Sequence, residues 1–337
     1  MMKKQRAAAI TNERSFYKMI ELTIKQAAMM IAANKDILVL MHRSPDGDTV
    51  GCAYALCYAL RKLGKRAQPV CSDAMPKTFS YITDGMEKQS FEPKFIISTD
   101  VATTNLLGDG LEQYKDRIDL CIDHHPSNTG FAEYGVVDGN AGACALIIAD
   151  LIKEMGVEPD TDIANAIFTG VATDTGCFAF SNASAEIHRV AAEMIEAGAE
   201  SAMITRRIFE TKSRSRLELE KMVLGSLRYF HDGKLALVTV TAEMMSLSGA
   251  AESETEGIAS IPRQIEGVMI GITVREKGSG NYRISVRTSD GADASRICAS
   301  FGGGGHKAAA GCTIEGDLES VIYSISSAAI SELLKLQ

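Results

Sequence analysis

The chain has 337 residues, which is long enough for two domains, and 46% of them are hydrophobic, as expected for a globular protein with a sizeable core. Its formal net charge of −8 provides no overall basic field for a long polyanion, so the composition favours small anionic substrates over long duplex nucleic acid. No stretch is apolar enough to span a membrane and the N-terminus lacks the apolar segment of a secretory signal, so we expect a cytoplasmic protein that binds no membrane.

The first half of the chain alternates predicted strands with predicted helices. An opening helix is predicted over residues 15–33, and the apolar run 37–41 has the length of a buried strand. A helix of small apolar residues starts near Thr49. This alternation predicts an α/β fold with a mostly parallel sheet covered on both faces. The further predicted elements are strands over 66–71, 95–99 and 118–122 and helices over 141–155 and 162–172.

Acidic and histidine side chains directly follow three of the predicted strands and one predicted helix. In chain order they are His42, Asp46, Asp48, Asp100, Asp123, His124, His125 and Asp174. The carboxyl ends of parallel strands lie at one edge of a sheet, so residues distant in sequence can meet there. We therefore expect these side chains to form a single site at that edge.

Oxygen-rich ligation with one or two imidazoles is typical of manganese or magnesium. The eight cysteines include no C-x-x-C pair, which argues for reduced thiols and against a thiolate zinc site. Five carboxylates at one edge would repel one another without cations. A pair of divalent ions removes that repulsion and is the recurrent device for phosphoryl transfer to water.

Each of these residues also has a structural explanation when it is taken alone. An aspartate after a strand commonly caps a helix, and adjacent histidines such as His124 and His125 can simply pack. The sequence TDTG at 173–176 can be a helix C-terminal turn with Gly176 in a left-handed conformation. The joint arrangement, rather than any single residue, favours the metal site.

The second half of the chain begins with a helical and increasingly charged segment, residues 185–229. We predict a metal-binding catalytic domain over 1–195, a helical linker over 196–230 and a smaller α/β domain over 231–337. The predicted elements of that domain are strands over 235–240, 268–274 and 282–288 and helices over 292–300 and 318–336.

A glycine run at 302–305 precedes a segment of small residues that is predicted to be helical. Glycines allow backbone N–H groups to approach a phosphate closely. In the predicted strand 282–288, alternation places Arg283, Ser285 and Arg287 on one face. Arg283 is interpreted as surface decoration. The predicted substrate-binding residues are Ser285, Arg287, Gly303, Gly304, Gly305, His306 and Lys307.

Four segments of the first half of the chain resemble, in order and spacing, the four motifs of the DHH phosphoesterase superfamily. They are residues 42–48, Asp100, Asp123-His124-His125 and the TDTG of residues 173–176. FGGGGHKAAAG at 301–311 is similar to the signature of the DHH-associated C-terminal domain. The resemblance covers nearly the whole chain. The two-domain length and the glycine loop resemble those members that degrade very short oligoribonucleotides and dephosphorylate 3′-phosphoadenosine 5′-phosphate (pAp). The resemblance thus implies a manganese-dependent phosphohydrolase whose substrates are short single-stranded RNA, dinucleotides and pAp.

The resemblance also implies roles for individual residues. One manganese would be bound by His42, Asp46 and Asp100, and the second by Asp48, Asp100, His124 and Asp174. Asp123 would orient a ligand histidine, and His125 would contact the scissile phosphate and assist proton transfer to the leaving oxygen. Arg287 matches the family's phosphate-binding arginine.

Two departures from the family pattern concern substrate preference: Ala179 stands where many relatives carry an arginine, and Ala143-Cys144 replaces a hydroxyl-bearing pair. The alternatives to a phosphohydrolase of short RNA and pAp are a cyclic- or linear-dinucleotide phosphodiesterase and a non-catalytic nucleotide-binding sensor. A family II inorganic pyrophosphatase is disfavoured because the second domain of those enzymes lacks the glycine–histidine loop. The sequence does not indicate whether the protein is a monomer or a homodimer.

Overall fold

The structure is a computed structural model that describes residues 19–255, 257–289 and 291–336. The chain divides into two compact units, the first ending at Thr211 and the second beginning at Lys212. All eight cysteines are free, and six of them are buried, in agreement with the predicted reduced thiols. In the part of the chain that is described, no helix combines the length and apolarity needed to cross a membrane.

The first unit is built around a six-stranded sheet with strand order β1-β6-β5-β4-β2-β3, in which every pairing is parallel. The elements of this unit are β1 (Ile20–Glu21), α1 (Ile24–Ala32), β2 (Asp36–Leu40), α2 (Gly47–Lys62), β3 (Arg66–Val70), α3 (Ser80–Thr83), β4 (Phe95–Thr99), β5 (Leu120–Asp123), β6 (Tyr134–Val137), α4 (Cys144–Glu154), α5 (Thr161–Asp174), α6 (Ala185–Glu196) and α7 (Ser201–Thr205). The chain leaves β2 toward β3 and then returns to β4 on the other side of β2. The switch point of the sheet therefore lies between β2 and β4, where open α/β sheets bind their ligands.

The parallel sheet is buried on both faces, as the apolar strand β2 predicts. Ile37 and Val39 belong to a large core shared with α1, α2, α4 and α5. Leu38 and Leu40 point to the opposite face, into a smaller core that includes Leu107 from a short 3₁₀ helix. Long helices thus cover one face, while the other is covered by turns and short helical segments. The α/β class is confirmed.

The predicted opening helix over 15–33 is wrong in its start; residues 15–18 lie outside the described part of the chain. The helix α1 begins at Ile24 because Thr23 caps it, in a reciprocal capping box with Gln26. Before the cap, β1 pairs with β6 at the edge of the sheet. Neither β1 nor β6 was predicted, because both strands are short and their pairing is long-range.

The second unit contains a mixed six-stranded sheet with strand order β11-β12-β10-β9-β8-β7. Only the β8–β9 pairing among these is parallel. The elements of this unit are α8 (Arg214–Gly225), β7 (Arg228–Phe230), β8 (Leu235–Val240), α9 (Ala242–Ser248), β9 (Ile270–Gly278), β10 (Asn281–Thr288), α10 (Ala294–Ala299), β11 (Gly304–His306), β12 (Ala309–Glu315) and α11 (Leu318–Leu334). One sheet face packs on α10 and α11, through residues such as Ile284 and Ile325.

Two predictions for this half of the chain need comparison with the structure. Residues 196–230, predicted as a linker, are divided between the units: α7 lies in the first, and α8 packs in the second through Leu219 and Val223.

The segment after the glycine run is not helical. It forms the strand β12, because it pairs along its length with β10. Small residues suit that position as well as they suit a helix, so sequence alone did not separate the two.

Candidate active site

The turn after β2 is shaped by Asp46. Its Oδ1 accepts hydrogen bonds from the backbone N–H groups of Asp48 (3.1 Å) and Thr49 (3.0 Å), so Asp46 is the N-cap of α2. Gly47, between the two aspartates, allows a close approach of the chains, since a methyl group added there would collide with the side chain of Thr173. Asp46 can therefore cap α2 and also bind a metal ion, because the cap fixes its carboxylate in the turn after β2.

Asp48 is held by a second helix. Its two oxygens accept hydrogen bonds from the backbone N–H groups of Cys144 (2.6 Å) and Ala145 (2.9 Å) at the start of α4. The N-cap residue of α4, Ala143, provides no side-chain cap of its own. The carboxylate of Asp48, which belongs to α2, therefore caps α4 in place of a side chain at Ala143. The amide donors partly neutralise its charge. The departure from the family pattern at Ala143-Cys144 therefore leaves this contact intact, because both hydrogen bonds to Asp48 are donated by backbone N–H groups.

Asp100 occupies the end of β4 in an unusual conformation. Its φ is +59°, in the left-handed region that residues with a Cβ adopt at a cost. The residue is 2% exposed, and its Oδ1 has no hydrogen-bond donor among the described residues. A buried carboxylate oxygen without a donor is costly unless a cation lies beside it.

Two histidines face Asp100 from opposite sides. The Nδ1 of His42 lies 2.7 Å from the carbonyl oxygen of Arg43, and the Nδ1 of His124 lies 3.1 Å from that of Ala141. A carbonyl can only accept, so the hydrogen-bond network assigns the ring proton to Nδ1 in both residues. Nε2 of each ring is therefore directed into the site, and in the neutral ring its lone pair can bind a metal ion, which is the arrangement of a metal-ligating histidine.

The side chains form two groups that share Asp100. In the first group, Nε2 of His42 is 3.6 Å from Asp46 Oδ1 and 3.7 Å from Asp100 Oδ2. In the second, Nε2 of His124 is 3.5 Å from Asp100 Oδ1, 3.6 Å from Asp174 Oδ2 and 3.9 Å from Asp48 Oδ2. With the rings neutral, all these atoms are acceptors that face acceptors, which suits divalent cations. Three sets of ligand atoms lie close enough together to hold an ion: those of His42, Asp46 and Asp100, those of Asp48, His124 and Asp174, and those of Asp100, His124 and His125.

The pKa values report the same crowding of charge. Burial raises the pKa of the Asp48 carboxyl well above its usual range, and the charges of Asp100 and Asp174 raise it further. Burial likewise raises the pKa of Asp174 to about 6, with Asp100 and Asp46 adding to the shift. Burial opposes protonation of His42, but Asp100 and Asp46 beside the ring raise its pKa to about 11. Burial is the largest cause for the two carboxyl groups, and the neighbouring carboxylates raise each of the three pKa values.

His125 has a different partner from its neighbour. Its Nδ1 lies 2.8 Å from Oδ1 of Asp123, which also accepts the backbone N–H of His124 (2.9 Å). Asn128 donates to the other oxygen of Asp123 at 2.7 Å. The hydrogen bond that His125 donates to Asp123 raises the pKa of His125. Burial raises the pKa of Asp123, but His125 and Asn128 outweigh it and lower the value overall. His125 thus keeps its Nε2 available, and its pKa lies above the ordinary value of a histidine.

The predicted substrate-binding residues lie on the second unit. Arg283, Ser285 and Arg287 alternate along β10 with buried Ile284 and Val286, as predicted. Arg287 is half-buried, and its one hydrogen bond among the described residues goes to the neighbouring carbonyl of Val286.

The glycine run ends in the edge strand β11, whose residues are exposed. One side of β11 pairs with β12, so backbone groups on its other side have no strand partner in the described sheet. Lys307 follows β11 and is exposed. The structure therefore leaves Gly303, Gly304, Gly305, His306 and Lys307 around an edge that can bind an anion through backbone N–H groups.

Sequence reasoning missed Asn128. Besides Asp123, its Nδ2 lies 3.2 Å from the carbonyl oxygen of Val101, the residue after Asp100. Asn128 therefore connects the end of β5 with the end of β4. The signal was present, since an asparagine three residues after His125 lies in the same polar turn, but only the folded turn shows what it contacts.

Comparison with known proteins places this geometry in a family. Residues 36–171 match the N-terminal domain of the DHH family, and residues 236–335 match the DHHA1 domain. The chain is 32% identical over 315 residues to the bifunctional oligoribonuclease and PAP phosphatase NrnA of Thermus thermophilus, covering 92% of this chain and 94% of that protein.

Two solved structures are similar in fold. An exopolyphosphatase-related protein from Bacteroides fragilis is 23% identical, with a TM-score of 0.81 over 91% of this chain and 95% of that one. RecJ from Thermus thermophilus in complex with Mn²⁺ is 14% identical, with a TM-score of 0.51 over 91% of this chain and 54% of RecJ. The sequence motifs, the two matched domains and the similarity to NrnA over nearly the full length show that this chain belongs to the DHH family, with a DHH domain followed by a DHHA1 domain.

Proposed function

We propose that this protein is a metal-dependent phosphohydrolase that releases 5′-mononucleotides from short oligoribonucleotides and removes the 3′-phosphate of pAp, with two Mn²⁺ ions as its cofactor. The observation that carries the proposal is the carboxylate of Asp100, whose two oxygens face two separate groups of ligands. A shared carboxylate of this kind suits a two-metal site. The names of the NrnA relative and of the Mn²⁺-bound RecJ structure support the substrate class and the metal.

In the proposed site, His42, Asp46 and Asp100 hold one ion, and Asp48, Asp100, His124 and Asp174 hold the other. When bound, such ions supply Lewis acidity, which activates water as a nucleophile and neutralises charge on the phosphoryl oxygens. The helix caps of Asp46 and Asp48 position these ligands in advance, so they need little rearrangement.

The proton chemistry belongs to His125 and Asp123. Asp123 accepts the Nδ1–H of His125, which holds the ring in one orientation and leaves Nε2 to face the substrate. A protonated Nε2 can donate its proton to the leaving ribose oxygen, and general acid catalysis of this type contributes about 10²- to 10⁴-fold in rate. Asn128 fixes the far oxygen of Asp123.

In the second unit, we assign substrate binding to Arg287 and Ser285 on β10 and to the glycine segment with His306 and Lys307. Arg287 has a guanidinium that no acidic side chain of the described residues pairs with, so its donors can contact a phosphate. The exposed edge strand adds backbone donors.

The test is turnover by the purified protein with Mn²⁺. The substrates are end-labelled RNAs from dimers to 20-mers, pAp, a cyclic dinucleotide and inorganic pyrophosphate. We expect the dimer to pentamer and pAp to be hydrolysed fastest, with 5′-mononucleotides as the RNA products. Equal rates on dimers and 20-mers, or a clear preference for the cyclic dinucleotide or pyrophosphate, would contradict the proposal. The order in which products appear also gives the direction of degradation.

A further inference from the structure

The segment after Asp174 combines an exposed aromatic ring with a strained backbone, and neither feature has a part in metal binding. Phe180 is 54% exposed, whereas Phe178, two residues earlier, packs with its ring 6.0 Å from that of Phe168 and 5.2 Å from that of His188. Isolated exposed apolar side chains are common on protein surfaces and need no explanation. Phe180 differs because the chain around it is built to hold the ring in one place.

The backbone that presents Phe180 is left-handed over three successive residues. Gly176, Cys177 and Phe178 have φ values of 57°, 56° and 65°. Glycine adopts this region freely, but the other two residues do so at a cost, and such strain is concentrated at functional sites. The buried Thr175 holds the turn, since its carbonyl accepts the N–H groups of both Ala179 and Phe180 at 3.0 Å.

The ring of Phe180 lies directly against Gly176. A methyl group added at Gly176 would collide with three carbons of that ring. One face of the ring is therefore seated on glycine backbone, and its exposed half remains open to a ligand. Gly176 is two residues from Asp174, at most about 7.6 Å between Cα atoms, so the ring is near the proposed metal site.

Asn182 ties this segment to the same site. Its Nδ2 donates to the carbonyl oxygens of Asp174 (3.1 Å) and Gly142 (2.8 Å). Gly142 follows Ala141, whose carbonyl fixes the ring of His124. The segment that carries Phe180 is thus connected by hydrogen bonds to the backbone that positions Asp174 and His124, two of the proposed metal ligands.

We infer that Phe180 is a stacking platform for a nucleobase, so that the site in the first unit recognises the base of the nucleotide whose phosphate it binds. This inference rests on the proposed function and makes it more specific, because it requires a substrate with a flat aromatic group. Every nucleobase has a π-face, so stacking of this kind accepts all bases and matches a general degrader of short RNA. An inorganic phosphoanhydride offers no such surface.

The experiment compares Phe180→Ala, Phe180→Leu and Phe180→Trp with the wild-type protein, all with saturating Mn²⁺. The substrates are an RNA dimer and two dimers of the same length that are abasic at the 5′ or the 3′ nucleoside. Stacking on an aromatic side chain is worth about 1–3 kcal/mol per base, which is about 5- to 150-fold. We expect Phe180→Ala and Phe180→Leu to raise KM for the RNA dimer by that factor while kcat changes little, and Phe180→Trp to retain the wild-type KM.

The abasic dimers separate stacking from a structural role. For the dimer that lacks the stacked base, Phe180→Ala and wild type should have the same KM, because the ring has nothing to bind there. A loss of the same size on all three dimers, or a wild-type KM for Phe180→Leu on the RNA dimer, would overturn the inference. Tyr323→Ala, which removes a 74% exposed aromatic side chain from α11, is the matched control and should leave KM unchanged.

Failure of the proposed function gives a different result. In that case the wild-type protein would turn over neither RNA dimers nor pAp. Melting temperature and the number of Mn²⁺ ions bound are measured for every variant. Phe180→Leu retains an apolar side chain on Gly176, so it keeps the test decisive if Phe180→Ala unfolds.

Discussion

The two units of this protein bring charged groups together in opposite ways. At the carboxyl edge of the parallel sheet, the first unit collects aspartates and histidines, of which Asp48, Asp100 and Asp123 are buried. Hydrogen bonds to backbone fix several of the others and Asp48 itself. On the mixed sheet, the second unit presents Arg287 and an exposed edge strand with few fixed contacts. The first arrangement is preorganised to hold cations. The second is suited to bind anions that arrive with the substrate.

This difference indicates where catalysis and binding reside. Groups that must hold cations at fixed positions need rigid support, and the caps of α2 and α4 supply it through Asp46 and Asp48. Groups that bind phosphates of varied substrates benefit from open backbone donors. Changes to the proposed metal ligands of the first unit should therefore affect mainly kcat, and changes to the proposed anion-binding residues of the second mainly KM.

The largest effect is expected for Asp100→Asn. The variant removes charge from the carboxylate shared by both groups of ligands, so both proposed ions bind more weakly. We expect kcat/KM for an RNA dimer to fall at least about 10⁴-fold, a loss of about 5.5 kcal/mol of transition-state stabilisation. Asp109→Asn, at an exposed position outside the sets of ligand atoms, is the control. Activity of Asp100→Asn within tenfold of wild type would refute the shared-carboxylate site.

The next effect concerns His125. Replacement with alanine removes the proposed proton donor, and we expect kcat on an RNA dimer to fall about 10²- to 10³-fold. A p-nitrophenyl ester of a nucleotide has a leaving group that needs no proton, so its hydrolysis should fall much less. Equal losses on both substrates would show that His125 does not act as the acid. Asp123→Asn should resemble His125→Ala, but with a smaller loss.

A smaller effect, in KM, is expected in the second unit. Arg287→Gln removes charge-assisted hydrogen bonds to phosphate worth about 1.5–3 kcal/mol, so KM for an RNA dimer should rise about 10- to 100-fold with kcat nearly unchanged. Arg283 lies four residues away on the same face of β10 and is the matched control. Arg283→Gln should change KM less than about twofold. Similar effects of the two variants would mean that general positive charge, rather than Arg287 itself, binds the substrate.

The smallest effect is on stability and depends on pH. Asp174, with a pKa raised to about 6, and Asp48, raised in the same direction, hold their protons more tightly when folded than when unfolded. The folded state therefore binds more protons above the unfolded pKa near 3.8, and stability falls as pH rises through about 6. We expect the melting temperature in EDTA to decrease from pH 5 to pH 7, and saturating Mn²⁺ to remove most of that decrease. Thermal unfolding monitored by circular dichroism measures both, and Asp174→Asn in EDTA should show a weaker dependence.

The sequence predicted much of the first unit and less of the second. The apolar strands β2, β4 and β5 each end within two residues of a proposed ligand, so the position of Asp100 or His124 followed from short-range patterns. The fold of the small-residue segment β12 depends on its pairing with β10, which no local pattern contains. The support of Asp48 by α4 was equally hidden, because its donors are backbone groups almost a hundred residues away.

The central claim is that Asp100 joins two ion sites, and the number of Mn²⁺ ions bound per chain tests it most directly. Equilibrium dialysis at neutral pH should give two ions for the wild-type protein. It should give about one for Asp174→Asn, which alters only one group of ligands, and none at the same free Mn²⁺ concentration for Asp100→Asn. A single ion on the wild-type protein, or two ions retained by Asp100→Asn, would contradict the account.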